Sequence, residues 1–269
     1  MRKPRLLLAL IALPFAFAAT AVVPAGAITN GQLDGTGHPY VGVMVIDSGS
    51  GPRRLCSGEL IAPTRFLTAA HCTAFLVNKP SVLDGVTFDP TYNPSTSTVI
   101  PAVSVTVDPL FGKGLGDLHD LGVITLASPV SAAPVVLPTA GLLDQLAAQG
   151  GLHGQDFTNV GYGATGWAFG GGPPTLVDFA TAVRRISTSP FMALEHNVLR
   201  LQGNTNVTGE GGTCVGDSGS ARYLNVGGTD VAVAIVSLGS DTRCVANDAN
   251  YRLDTPSARA FLGQFVTLP

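Results

Sequence analysis

Charged side chains are scarce in this sequence of 269 residues: they make up 12% of it, and the formal net charge is only −3. No cluster of lysine and arginine follows the first few residues. Proteins that bind nucleic acid need a basic surface to neutralise phosphates. The composition therefore excludes nucleic acid as an expected partner.

Cysteine is also rare: there are four, and none belongs to the Cys-x-x-Cys pairs that are typical of zinc sites. Four cysteines can form two bridges in three ways, and the sequence alone does not choose among them. Their spacing favours Cys56 with Cys72 and Cys214 with Cys244. Each bridge would stabilise the fold by about 3 to 4 kcal/mol through loop entropy. We expect two disulfides, no metal ion and no cofactor.

The N-terminus is basic in its first five residues and continues into an apolar run that ends in small residues, as signal peptides do. Two Ala-x-Ala sites would allow cleavage after Ala18 or after Ala27. Pro14 and the lack of basic residues just after the run argue against a membrane anchor. We expect residues 1–27 to be a signal peptide, and the protein to be secreted, extracellular and not stably associated with a membrane.

Long stretches of helical period are few. Most of the chain consists of short apolar or alternating runs separated by glycine, proline, asparagine and aspartate, which predicts an all-β protein. One amphipathic helix, at about 256–266, closes the chain. The candidate strands are 40–46, 59–61 leading to 66–70, 82–88, 103–107, 121–126, 157–162, 177–186, 221–226 and 231–238.

A candidate nucleophile, Ser218, stands in Gly216-Asp217-Ser218-Gly219. Those four residues are equally typical of a polar turn. A serine hydroxyl becomes a useful nucleophile only with a base, a group that orients the base, and donors for the oxyanion. Because the flanking glycines permit a sharp turn, we expect the N–H groups of Gly216 and Ser218 to be those donors.

The candidate base is His71, which follows an apolar run and stands beside a cysteine that we expect to be bridged. The candidate orienting carboxylate is Asp120, at the entrance of the next apolar strand, where a buried charge needs a hydrogen-bonding partner. His119 is the alternative base. Asp117 and Asp108 are alternative acids, although both stand in segments typical of solvated loops.

Three motifs in this order, Thr-Ala-Ala-His-Cys at 68–72, Asp-Leu-Gly-Val at 120–123 and Gly-Asp-Ser-Gly at 216–219, resemble the chymotrypsin/trypsin-like serine peptidases, especially secreted microbial members. The resemblance runs from Ile28 to the final helix. It implies two six-stranded antiparallel β-barrels with the active site between them, plus the C-terminal helix. We place the first barrel at 28–135 and the second at 136–269.

The resemblance also assigns roles. His71 would be the general base and then the acid, Asp120 would fix its tautomer, and Ser218 would form the acyl-enzyme. The expected bridges agree with two that the family has. The implied function is a secreted serine endopeptidase, a monomer that acts on proteins or peptides and meets proteinaceous inhibitors. The alternative is a catalytically weak, protease-like binding protein.

The resemblance implies an activation step as well. A new N-terminal ammonium at Ile28 would pair with Asp217. No lysine or arginine occurs between Arg5 and Arg53, so activation by a trypsin-like cut before Ile28 is excluded. Signal-peptide cleavage after Ala27 would expose Ile28 directly, and we expect no inhibitory propeptide.

The specificity pocket is placed by alignment on Cys214. None of its residues is acidic, so we expect cleavage after apolar or medium-sized residues, although Glu210 and Asp248 lie close in sequence and leave selectivity for Arg or Lys as the alternative. The family usually has glycine and proline after Gly219, whereas this chain has Ser220 and Ala221. The predicted pocket residues are Gly212 and Thr213 at the floor, Ser237, Leu238 and Gly239 along one wall, and Ala249 near the base.

Overall fold

The computed structural model describes residues 28–114, 116–170, 172–178, 182–239, 241 and 243–269. The predicted signal peptide, 1–27, lies outside the described residues. Within the described ranges, no helix is both long enough and apolar enough to cross a membrane. Both expected disulfides are present, Cys56–Cys72 and Cys214–Cys244, and no described cysteine is free.

A two-residue strand, β1 (Gln32–Leu33), precedes a closed antiparallel barrel of six strands. Apolar β-branched residues dominate this barrel's first strand, VGVMVI, which is buried along its whole length because it pairs on both edges. The six strands are β2 (Val41–Ile46), β3 (Arg53–Ala62), β4 (Arg65–Thr68), β5 (Leu83–Thr87), β6 (Ile100–Val107) and β7 (Gly122–Leu126), in the order β2-β3-β4-β7-β6-β5.

The second barrel also has six antiparallel strands. They are β8 (Asp156–Gly161), β11 (Arg185–Leu194), β12 (Val198–Leu201), β13 (Ala221–Val226), β14 (Thr229–Gly239) and β15 (Asp248–Arg252). The order is β11-β12-β15-β14-β13-β8, and a further pairing of β11 with β8 closes the barrel. β1 adds to the outside of β11, and a short hairpin of β9 (Gly166–Ala168) and β10 (Thr175–Val177) stands apart.

Helices are few and short. The α-helices are α1 (Ala70–Thr73), α2 (Leu142–Ala148), α3 (Thr205–Thr208) and α4 (Pro256–Leu262), and two 3-10 helices cover Ala74–Asn78 and Pro80–Val82. α4 begins at Pro256 with the Thr255 hydroxyl accepting the Ala258 N–H, and it buries Phe261 and Leu262. Its apolar face is therefore what ties the C-terminus to the barrels.

The largest hydrophobic cluster contains side chains of both barrels, such as Phe66 of β4 and Ile235 of β14, together with Phe261 of α4. A smaller cluster fills the far side of the second barrel. Because the two barrels share one core, the strand ends that face each other across it are held in fixed relative positions.

The predicted fold class, two six-stranded antiparallel barrels with a C-terminal helix, is confirmed. The strand predicted at 177–186 is wrong in its bounds: β10 ends at Val177 and β11 begins at Arg185, and residues 179–181 are not described. The closing helix ends at Leu262 rather than at 266, because Gly263 caps it and turns follow. α2 was not predicted.

Candidate active site

His71 and Asp120 meet because two neighbouring strands bring them together. β4 pairs with β7 so that Thr68 faces Gly122. His71 follows Thr68 by three residues in α1, and Asp120 precedes Gly122 by two, so the two side chains lie at the same edge of the barrel. His71 Nδ1 is 2.8 Å from Asp120 Oδ2, and the His71 backbone N–H donates to Asp120 Oδ1, also at 2.8 Å.

Asp120 is 2% exposed, so its charge must be compensated inside the protein. A third donor comes from the other barrel: the Ser237 hydroxyl of β14 donates to Asp120 Oδ2 at 2.5 Å. Ser237 was predicted only as a pocket residue, and its bond to Asp120 was missed. The bond joins the two barrels at the site itself, and His71 Nε2 makes no hydrogen bond within the described residues.

Ser218 lies on the loop between Cys214 and β13, which packs against the segment leading into α1. Gly219 has φ of 81°, and a Cβ added there would collide with Thr68 Oγ1 and lie 2.7 Å from the Ala69 nitrogen. Only glycine permits this approach, which brings Ser218 next to the residues that precede His71. Among the described residues, no hydrogen bond joins Ser218 to His71, and such bonds are often long before substrate binds.

Two backbone N–H groups beside Ser218 are unused. The N–H groups of Asp217, Gly219 and Ser220 donate to backbone carbonyls, whereas those of Gly216 and Ser218 donate to no acceptor in the described residues. The Gly216 carbonyl is held by the Ser57 N–H at 3.0 Å and by the Ser57 hydroxyl at 2.8 Å. These two N–H groups are the ones that the sequence analysis predicts as oxyanion donors.

Asp217 is completely buried behind Ser218. Its carboxylate accepts the Gly163 N–H at 2.7 Å and the Cys214 N–H at 3.0 Å. Burial raises the pKa of Asp217 from 3.8 to about 6, while these two donors and the charges of Arg54 and Arg222 lower it. Asp217 is thus a buried acid whose charge is only partly compensated.

Ile28, the predicted partner of Asp217, is also buried. The next residue, Thr29, exchanges backbone hydrogen bonds with Gly212, just before Cys214. No hydrogen bond joins Ile28 to Asp217 in the part of the chain that is described. Ile28 has φ of 58°, in the left-handed region that β-branched residues avoid.

Ser220 is buried on the loop that carries Ser218. It is fully buried, and both its N–H (2.9 Å) and its hydroxyl (2.7 Å) donate to the Asp217 carbonyl. The hydroxyl therefore replaces the missing glycine–proline pair with an added hydrogen bond that fixes the turn around Ser218.

A cavity of about 440 Å³ opens beside Ser218. Of the predicted pocket residues, Thr213, Ser237 and Gly239 line it, whereas Gly212, Leu238 and Ala249 are not among its lining residues. Leu238 is instead 54% exposed on the surface. Trp167, Val215, Val236, Asp241 and Asp248 are among the other residues that line it.

The sequence analysis named Asp248 only as an acid close in sequence to the pocket, and it did not name Arg222. Arg222 is fully buried on β13, and its guanidinium is 2.8 Å from Asp248 Oδ2 on β15. An arginine inside an otherwise apolar strand, ARYLNV, signals a buried charge that needs an acid. The sequence of β13 does not identify the acid, because the pairing of strands decides which acid lies beside Arg222.

Comparison with known proteins points to one family. The sequence model of the Trypsin family matches residues 29–260. A protein named Trypsin from Saccharopolyspora erythraea is 32% identical over 106 residues, which are 38% of this chain and 43% of that relative. The chain thus aligns with less than half of the relative's length. Because the family model covers far more than half of the chain, the protein belongs to the trypsin family of chymotrypsin/trypsin-like serine peptidases.

Proposed function

We propose that the protein is a secreted serine endopeptidase that cleaves peptide bonds through Ser218, His71 and Asp120 and an acyl-enzyme intermediate. The observation that carries the proposal is the buried Asp120, which holds the His71 ring by Nδ1 and its backbone by N–H while Ser218 lies on the adjacent loop. A carboxylate with this pair of bonds fixes the imidazole in the tautomer that a general base requires.

The chemistry follows from the geometry. His71 Nε2 removes the Ser218 proton as the hydroxyl oxygen attacks the carbonyl carbon, and the oxyanion forms between the N–H groups of Gly216 and Ser218. His71 then gives the proton to the leaving amine as the C–N bond breaks. Water, deprotonated by His71, hydrolyses the acyl-enzyme, and Ser218 regains its proton.

Replacing Ser218 by alanine tests the proposal. Turnover of a peptide anilide should fall on the order of a millionfold, and a serine-directed phosphonate should label the wild type but not the variant. A wild type that binds peptides without hydrolysing them and resists the phosphonate would support the alternative, a protease-like binding protein. Ser257, which donates to Asp117 and lies outside the site, provides the control: its alanine variant should retain labelling.

We further propose that cleavage after Ala27 activates the enzyme, because the new Ile28 ammonium would supply the charge that Asp217 lacks. Two features support the step. Ile28 is already buried beside the segment that leads to Cys214, and once it is the N-terminal residue it has no φ angle to constrain. Cleavage would therefore remove the left-handed strain at Ile28, about 1 to 2 kcal/mol for a residue with a Cβ.

N-terminal sequencing and intact mass of the secreted protein test the activation step. The active species should begin at Ile28, and a form with one alanine added before Ile28 should lose activity. An active species that begins at Ala19 would refute the step. Secretion after signal cleavage, without membrane attachment, is part of the same proposal, and the two disulfides are consistent with an oxidising compartment.

The proposed enzyme acts as a monomer of two barrel domains, divided near residue 135, on protein or peptide chains. Proteinaceous inhibitors would bind the same cleft. We propose that it cleaves after neutral, apolar or medium-sized residues, since Trp167, Val215 and Val236 supply apolar surface in the cavity beside Ser218. Peptides that differ only in the residue before the scissile bond test this, and a strong preference for Arg or Lys would refute it.

A further inference from the structure

A charged network lies beneath the cavity beside Ser218, and the proposed mechanism does not use it. Its centre is Arg222, which is 0% exposed. Arg222 donates from Nε to Asn250 Oδ1 at 2.6 Å, from Nη1 to Asn159 Oδ1, and from Nη2 to Thr213 Oγ1 at 3.0 Å. A guanidinium keeps its charge in proteins, so this buried cation requires an anion.

The anion is Asp248, which lines the cavity. Arg222 Nη2 donates to Asp248 Oδ2 at 2.8 Å. Thr213 adds two hydrogen bonds to the same oxygen, from its N–H at 3.3 Å and from its hydroxyl at 2.7 Å. Asp248 is therefore held from beneath by a cation and by the residue that forms the pocket floor.

The other acid that lines the cavity is also paired. Asp241 lies 3.6 Å from the Nε of Arg243, which is exposed, and it accepts the N–H of Val245. These are the two acidic residues among the described lining residues, and neither has an uncompensated charge. The cavity is thus lined by carboxylates but is close to neutral.

We propose that Arg222 is a specificity-determining residue, which neutralises Asp248 and thereby makes the pocket select neutral side chains. The inference rests on the proposed peptidase function. A lysine or arginine of the substrate would enter as a second cation for a single carboxylate. It would lose its hydration without gaining a free anion, which disfavours it against a neutral side chain of similar length.

Two peptide anilides, identical except for lysine or methionine before the scissile bond, test the inference. The wild type should cleave the methionine peptide at least as well as the lysine peptide. In Arg222→Gln, Asp248 loses its cation, and the lysine-to-methionine ratio of kcat/KM should rise by about 10- to 100-fold. Arg222→Lys keeps a cation near Asp248 but not the guanidinium's fork of donors, so it should raise the ratio less than Arg222→Gln does.

Arg252→Gln is the matched control. Arg252 is also buried, at 1% exposure, and it is paired with Asp254 at 2.9 Å and with Asp144, but neither of these acids is among the lining residues of the cavity. Its replacement should cost stability comparably and leave the ratio unchanged. The ratio isolates specificity, since any general loss of turnover affects both peptides equally.

An unchanged ratio in a folded Arg222→Gln variant would overturn the inference, as would a wild type that prefers lysine by more than tenfold. If Arg222→Gln does not fold, Asp248→Asn replaces it: the unpaired Arg222 should lower the ratio about tenfold, and no decrease would overturn the inference. A wild type that hydrolyses neither peptide and resists the phosphonate would overturn the peptidase itself, whereas an active enzyme with an unchanged ratio overturns only the role of Arg222.

Discussion

Two buried aspartates, one from each barrel, lie at the proposed active site, and their charges are compensated differently. Asp120 receives three donors, the His71 N–H, the His71 ring and the Ser237 hydroxyl. Asp217 receives two backbone N–H donors, and burial still raises its pKa to about 6. Asp120 is satisfied by donors within the fold, whereas burial raises the pKa of Asp217 although the charges of Arg54 and Arg222 lower it.

Folding alone completes the surroundings of Asp120, whereas we propose that those of Asp217 are completed only by a later cleavage. Strand pairing of β4 with β7 and the Ser237 bond complete the base and its orienting acid. The loop that holds Ser218 and the oxyanion N–H groups depends on Asp217, whose full compensation requires the ammonium that we propose at Ile28. We therefore propose that control of activity lies in the second barrel, behind Ser218.

Of the two aspartates, Asp120 should give the larger loss of turnover when it is replaced. Asp120→Asn should lower kcat by about 10⁴-fold, since the amide cannot hold the required His71 tautomer. Stopped-time assays with a peptide anilide measure it. Asp108→Asn is the control: Asp108 is a buried acid of the same barrel that accepts the Leu110 N–H, and its variant should stay within about threefold of the wild type. A loss below tenfold in Asp120→Asn would show that Asp120 does not orient the base.

Replacement of Asp217 should give a smaller loss of activity. In the form that begins at Ile28, Asp217→Asn should lower kcat/KM by about 10²- to 10³-fold, the value of an oxyanion donor, because the turn at Gly216 and Ser218 loses its anchor. Phosphonate labelling should slow by a similar factor. If Asp217→Asn retains full activity, the Ile28 ammonium has no role in ordering the loop.

The site residues that could be predicted are those that stand in recognisable local sequence motifs. His71, Asp120 and Ser218 stand in short motifs beside apolar runs, so residue type and neighbours suffice. The contacts that were missed join different strands or barrels: Ser237 of β14 contacts Asp120 of the first barrel, and Arg222 of β13 contacts Asp248 of β15. Strand pairing and barrel packing set these contacts, and no local pattern encodes them.

The fold follows the same rule. Strands with clear alternation and flanking turns were predicted, and the closing helix was placed by Pro256. The region 177–186 was assigned wrongly because its ends belong to two strands: β10 ends at Val177, and β11 begins at Arg185. β12 and β15 were missed, and both are stabilised by pairing with the longer strands β11 and β14.

The pH dependence of the free energy of unfolding should report the buried carboxylate of Asp217 in the form before cleavage. In a Ser218→Ala form that retains Ala27, the folded pKa of Asp217 is about 6 against 3.8 unfolded. A raised pKa means that stability is fully present below about pH 4 and is lost as pH rises through 6. Two pKa units correspond to about 3 kcal/mol, measurable by urea unfolding at pH 4 and pH 7.

Asp217→Asn in the same form should abolish that part of the pH dependence, and cleavage before Ile28 should reduce it, because the ammonium stabilises the charged carboxylate. Equal slopes for the parent and the Asp217→Asn variant would contradict the assignment of the buried charge. The comparison of the two slopes cancels the contributions of the other titrating groups.

The smallest effect on turnover is expected from a third buried acid, Glu59 on β3, which has no place in the site. Burial raises its pKa well above the usual value, so the stability that it contributes is present in acid and lost as pH rises. Glu59→Gln should therefore raise Tm at pH 8 by at least the roughly 2–4 °C that 1 kcal/mol is worth in a domain of this size, with kcat within twofold. A loss of activity in a folded Glu59→Gln variant would mean that the site depends on a second buried acid of the first barrel, besides Asp120.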